Sequence, residues 1–151
     1  RTLLLIACSR GHLLAAKALV DHKANVKAVD NKGYGPLHLA CLNGHLNMVK
    51  FLVESCKVDI KAVNEEGKTP LLVANGGGHV QVVRCLVELN ADLETADSNG
   101  YKPLHLACSN RHLNLAKFLV EECKANIEAV NKQGETALSL AREGGKPDLV
   151  S

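Results

Sequence analysis

Tryptophan is absent from these 151 residues, and two tyrosines and two phenylalanines make up the whole aromatic content, 3% of the chain. A single compact core usually rests on such rings, so this composition excludes a large central core and favours small helices packed closely through Leu, Ala and Val. Charge of one sign is also lacking: 18 basic residues against 16 acidic ones leave a net charge of +2, which removes a nucleic-acid backbone or an anionic membrane as a charge-driven partner. Apolar runs such as Leu3 to Cys8 fall far short of the ~20 residues that cross a bilayer, and the start lacks the pattern of a signal peptide. None of the six cysteines forms a Cys-x-x-Cys pair, and a chain of this size does not need staples. They read as reduced, which predicts an intracellular, cytoplasmic setting.

What is present in quantity is a repeat. Thr2, Gly35, Thr69, Lys102 and Thr136 are spaced by 33, 34, 33 and 34 residues. Each is followed by Leu two positions on (Leu4, Leu37, Leu71, Leu104, Leu138) and Ala five positions on (Ala7, Ala40, Ala74, Ala107, Ala141). A period of this length is the mark of a stacked array in which each unit is one supersecondary element.

Within a unit, Pro36, Pro70 and Pro103 suit the first turn of a helix, where the missing N–H has no partner in any case. Gly11, Gly44, Gly78 and Gly145 stand about two turns later, where a left-handed residue ends the helix. Apolar residues at helical spacing follow, such as Leu46, Val49, Leu52 and Val53, and predict a second amphipathic helix. A polar turn carrying Gly33, Gly67, Gly100 or Gly134 then projects as a finger before the next unit.

The stretches GPLHLACLNGHLNMVKFLVE, from Gly35 to Glu54, and KPLHLACSNRHLNLAKFLVE, from Lys102 to Glu121, resemble the ankyrin repeat, with its Thr-Pro-Leu-His-x-Ala and Gly-His motifs. The resemblance covers the chain as one all-α domain, an ankyrin-repeat solenoid. Its repeats fall at about 1–30 (partial), 31–64, 65–97, 98–131 and 132–151 (partial). It implies a concave face that holds a protein or peptide partner, with no catalytic residue, metal or cofactor. Contacts carried over from the family fall on finger tips and on two positions late in the first helix. The finger sites are Asn31, Lys32 and Tyr34; Glu65, Glu66 and Lys68; Ser98, Asn99 and Tyr101; and Lys132, Gln133 and Glu135. The helix sites are Ser9, Arg10, Leu42, Asn43, Gly76, Gly77, Ser109, Asn110 and Glu143. Tyr34, Leu42 and Tyr101 are the candidate anchors, since aromatic and aliphatic side chains dominate most interfaces. Each tyrosine has a second reading, as a cover for the neighbouring finger.

The resemblance also disposes of most chemically tempting residues. His38 and His105 fill the motif histidine, a structural hydrogen-bonding position that ties adjacent loops. His12, His45, His79 and His112 fill the Gly-His position; only His22 lies outside both sets. Histidines one repeat apart are too distant to share a zinc ion at ~2.0–2.3 Å. Cys8, Cys41 and Cys108 follow the motif Ala as small apolar residues, whereas Cys56 and Cys123 fall in loops where exposure is expected. Gly76-Gly77-Gly78 lacks the Lys-Ser/Thr of a phosphate loop and predicts a loosened helix end.

A second period overlies the first. The repeat at Gly35 matches the one at Lys102, 67 residues on, better than it matches its neighbours, and both carry Phe (Phe51, Phe118) where the others have Ala18 and Cys85. A large side chain facing a small one is expected across each interface.

Several positions break the pattern. Leu5, Leu72 and Ser139 replace the motif histidine, Asn75 replaces a small apolar residue, and Arg111 replaces a C-cap glycine. The third repeat is therefore expected to open first. Apolar residues at both ends, Leu3–Ile6 and Leu149-Val150, predict a monomeric array within a longer protein. The leading function is a non-enzymatic interaction scaffold. A targeting or regulatory module of a larger enzyme or channel is the alternative, and a thiol- or zinc-responsive switch a third.

Overall fold

The computed structural model describes residues 2–143. The expectations for Gly145 and for Leu149-Val150 lie outside these residues. The first helices are α1 (Leu3–Arg10), α3 (Pro36–Leu42), α5 (Pro70–Gly77), α7 (Pro103–Ser109) and α9 (Ala137–Glu143). The second helices are α2 (Leu13–Asp21), α4 (Leu46–Lys50), α6 (Val80–Glu88) and α8 (Leu113–Glu121). First helices pack on first helices along the whole row, α1 on α3, α3 on α5, α5 on α7 and α7 on α9, while α4, α6 and α8 form the second layer. One continuous core of Leu, Val, Ala and Cys runs through them, because no single pair of two-turn helices can bury its apolar face alone.

The first helices begin in three chemically different ways. Thr2 and Thr69 accept from the N–H groups of Leu5 and Leu72 through their hydroxyl oxygens, at 3.2 and 3.3 Å. Where Gly35 and Lys102 replace threonine, the direction reverses: their N–H groups donate to Nδ1 of His38 and His105, at 3.2 and 3.0 Å. Thr136 and Ser139 do both, Thr136 N–H donating to Ser139 Oγ at 3.0 Å and Ser139 N–H to Thr136 Oγ1 at 3.2 Å. Each solution removes one or two of the orphan donors that a helix start leaves.

The two-repeat period has a backbone cause. The extra residue of the 34-residue repeats is taken up at the end of the second helix, where Cys56 N–H reaches Phe51 O and Cys123 N–H reaches Phe118 O, each at 3.2 Å, five residues back. Phe51–Ser55 is a π-helical turn continuing α4. Each phenylalanine lies beneath a cation of the preceding second helix, Lys17 Nζ at 5.7 Å from the Phe51 ring and Arg84 Cζ at 4.5 Å from the Phe118 ring. Arg84 also pairs with Glu122 at 3.4 Å. The expected small residue opposite Phe51 is not its cover, since Ala18 is exposed.

Helix α5 is helical through Gly77 and stops at Gly78, with φ 73°.

Candidate functional site

Each finger is built on one carboxylate or amide. Oδ1 of Asp30 accepts from the N–H groups of Lys32 and Tyr34, and Oδ1 of Asn64 from those of Glu66 and Lys68. Asp97 does the same for Asn99 and Tyr101, and Asn131 for Gln133 and Glu135, every bond lying at 2.9–3.0 Å. These four residues were missed in the sequence reading, although each stands three positions before a finger glycine. The Asx side chain substitutes for a backbone partner and fixes the turn. Neighbouring fingers are then joined by backbone bonds: Glu65 N–H to Lys32 O at 3.1 Å, Ser98 N–H to Glu66 O at 3.0 Å and Lys132 N–H to Asn99 O at 3.1 Å. The tips thus form one hydrogen-bonded row.

The motif histidines hold that row to the helices. His38 Nδ1 accepts from Gly35, so its proton sits on Nε2, which donates to Lys68 O in the next finger at 2.9 Å. His105 repeats the arrangement, Nε2 donating to Ala129 O at 3.0 Å. Burial pushes the His38 pKa below its ordinary value, against smaller raising contributions from the Lys68 and Ala62 carbonyls. The Gly-His histidines lock the other end of the units: His45, His79 and His112 donate through Nε2 to Ser9 O, Leu42 O and Gly76 O, at 2.9, 2.9 and 3.0 Å. His12 holds the same place at the start of α2, with no described repeat before it.

The candidate contact residues are mostly outward. Lys32, Leu42, Asn43, Glu66, Asn99, Ser109, Asn110 and Gln133 are exposed, while Lys68 and Glu135 are half-buried. The fingers do not hold the tyrosines out. Tyr34 and Tyr101 are half-buried, with their rings edge-on to His38 and His105 at 5.8 and 6.0 Å, and they lie beside Asn64 and Asn131 of the following fingers. Even so, Tyr34, Lys32 and Leu42 come together: with Asp30, Asn31 and Leu39 they line a hollow of ≈310 Å³ between the finger and α3. Leu42 remains 39% exposed at its edge. Asn43 extends the surface toward repeat one by donating from Nδ2 to Ser9 Oγ at 3.2 Å. Sequence reasoning missed the exposed aliphatic row of Val29, Val63 and Val130, 57%, 59% and 53% exposed, each immediately before a finger Asp or Asn. That recurrence was the available signal.

The cysteines sit poorly for nucleophilic chemistry. Burial raises the Cys8 thiol to about 12, with Cys56 adding to the shift, and raises Cys108 to about 11; Cys41 moves in the same direction. Cys56 and Cys123 are half-buried and also raised by desolvation, so the thiolate is disfavoured at all five positions. Among the described residues no three His, Cys, Asp or Glu side chains could hold a metal ion together, and no helix is long and apolar enough to cross a membrane.

Short helix pairs stacked in register and joined by a ladder of fingers define a solenoid repeat protein. The family model described as "Ankyrin repeats (3 copies)" matches residues 1–64 and 55–131, and the chain belongs to the ankyrin-repeat family, whose arrays are generally protein-interaction modules. It is 30% identical over 128 residues to protein phosphatase 1 regulatory subunit 27 of Mus musculus, covering 85% of this chain and 60% of that protein. It is 42% identical over 55 residues to ankyrin repeat domain-containing protein 63 of Homo sapiens, covering 36% of this chain and 14% of that protein. It is also 38% identical over 55 residues to palmitoyltransferase AKR1 of Lachancea kluyveri, covering 36% of this chain and 8% of that protein. The chain therefore spans less than two thirds of each of these relatives.

Proposed function

We propose that this array is a non-enzymatic module that holds a protein or peptide partner on the concave face formed by its fingers and first helices. The observation that carries the reading is the Tyr34–Leu42 hollow, a partly apolar depression of ≈310 Å³ rimmed by Lys32 and Asn31 on a finger that five hydrogen bonds hold in place. A preformed, partly apolar recess with a polar rim suits an anchor side chain of a partner. The raised thiols of Cys8 and Cys108 suit buried packing residues better than nucleophiles. Core burial of Cys8, Cys41 and Cys108 fits a reducing, intracellular compartment.

The test compares partner capture by the native chain and by Leu42→Glu and Lys32→Glu variants whose folding is checked by circular dichroism. Loss of about tenfold or more in affinity is expected, and unchanged affinity in both variants sinks the reading. A second reading, a targeting or regulatory module of a larger protein, is favoured by the phosphatase regulatory subunit and the palmitoyltransferase among its relatives. It keeps the same face and assigns the chemistry to segments outside this chain.

A further inference from the structure

Behind the same finger stem lies a second cleft, between residues 26–29 and residues 56–63, floored by Pro36, His38 and Pro70, with a volume of ≈490 Å³. It shares no residue with the Tyr34–Leu42 hollow. Val29 and Val63, 57% and 59% exposed, form part of its lining together with Val58. Lys27 and Lys57 also line it, against the single carboxylate of Asp59, whose Oδ1 already accepts from Lys61 N–H at 2.9 Å. The cleft is thus apolar with an excess of ammonium groups at its edge.

The molecule contains its own control. At its register mate, 67 residues on, the inner part lined by Glu94, Pro103, His105 and Ala129 has a volume of only ≈10 Å³, and Ala96 and Ala125 stand there where the open cleft has Val29 and Val58. Two substitutions separate the pair most sharply: Lys102 stands where the open cleft has Gly35, and Glu94 stands where it has Lys27. Lys102 Nζ meets Glu94 Oε1 at 3.5 Å, and both residues line the closed mate. Backbone geometry does not demand glycine at 35. Its φ is −89°, and a Cβ there would meet nothing nearer than 3.8 Å. Absence of a side chain at Gly35 therefore keeps one cleft open, and an ion pair fills the other.

We infer that the open cleft is a docking subsite for an acidic, aliphatic segment of a protein partner: an aliphatic side chain lies against Val29, Val58 and Val63, and a flanking carboxylate pairs with Lys27 and Lys57. The site is separate from the concave-face reading and stands without it.

The experiment transplants the plug. The whole chain is used to select from a displayed library of random linear peptides, and the enriched peptides are titrated against three variants. In Lys27→Glu/Gly35→Lys the cleft is closed as repeat four closes its own; in Glu94→Lys/Ala96→Val/Lys102→Gly/Ala125→Val the mate is opened and given the valines of the first cleft; Leu42→Glu alters only the concave hollow. Expected are peptides joining Asp or Glu to Leu, Ile or Met, whose affinity falls about tenfold or more on the closed variant and is unchanged by Leu42→Glu. The opened variant gains a second equivalent of peptide. The inference is overturned if selection yields no acidic–aliphatic sequence, or if such peptides bind the closed variant as well as the native chain. Should the closed variant fail to fold, the opened variant decides, and a stoichiometry that stays at one peptide per chain counts against the site.

Discussion

Gly44 and His79 occupy each other's space. A Cβ on Gly44 would lie 2.6 Å from Nδ1 of the His79 ring, and that ring donates from Nε2 to Leu42 O at 2.9 Å. Gly44 also has φ 72°, so the helix stop and the slot for the next repeat's imidazole are one residue. Gly11 with His45 and Gly78 with His112 repeat the fit. The Gly-His motif is therefore a contact between repeats, in which the glycine of one unit receives the histidine of the following unit.

This fit predicts unequal costs for the same substitution. Gly134→Ala, at φ 76° with no described residue within 4 Å of its Cβ, should pay only the left-handed penalty of ~1–2 kcal/mol. Gly44→Ala should cost more and couple to His79→Ala in a double-mutant cycle by chemical denaturation. Equal costs with no coupling contradict the slot.

Acid should weaken the stack through His38. Its folded pKa lies below the ordinary 6.5 because burial disfavours the charged ring. The unfolded chain therefore binds more protons in the window between the two values, and stability rises with pH there. The contribution is complete above about 6.5 and is lost as pH falls through that value toward the folded pKa. Denaturation midpoints between neutral and mildly acidic pH should fall less steeply for His38→Gln than for the native chain; an identical or steeper fall refutes the assignment.

Asn75 should make repeat three the first to open. The residue is fully buried, its Nδ2 donates to Leu71 O at 2.8 Å, and its Oδ1 has no partner among the described residues. The other described repeats with a complete first helix motif place Cys8, Cys41 and Cys108 there. Asn75→Cys is expected to stabilise by about 1 kcal/mol by removing the orphan acceptor. Hydrogen exchange should show α5 less protected than α3 in the native chain, with the gap narrowed in the variant; a destabilised variant rules the explanation out.

Left-handed residues other than glycine offer a further gain. Lys23, Lys124 and Arg111 have φ of 70°, 57° and 64°. Replacement of each by Gly should relieve up to ~1–2 kcal/mol, less the added freedom of the unfolded chain. Arg111 is the telling case, because it stands where the first three repeats have the helix-stop glycines Gly11, Gly44 and Gly78. A lower denaturation midpoint in Arg111→Gly would show that the arginine makes a stabilising contact instead.

Phe118→Ala should cost roughly 3–5 kcal/mol, as deletion of a buried ring does. Phe118 is 7% exposed, whereas Phe51 is only half-buried, so Phe51→Ala should cost less. Denaturation of both variants orders them, and the reverse order would be inconsistent with this packing.

The repeat and its helix boundaries were legible in the chain itself, because they follow from local rules: proline at a helix start, glycine at a helix stop, and apolar spacing at helical period. The finger tips, the late first-helix positions and the structural duty of the histidines came instead from the resemblance to the ankyrin repeat and not from those rules. The rules did not reveal that Tyr34 and Tyr101 turn back onto His38 and His105, since a side chain's burial depends on what the next repeat brings beside it. They were equally silent on the open and closed clefts. Gly35 and Lys102 look interchangeable as residues before a Pro-Leu-His motif, and only the packed loops decide that one leaves a cleft open while the other reaches Glu94 and fills it. Sequence by itself determined the stacking unit, because each unit's bonds are mostly internal or to the next copy. Tertiary structure alone decided which surfaces remain available, because availability is a property of neighbouring loops and not of any one of them.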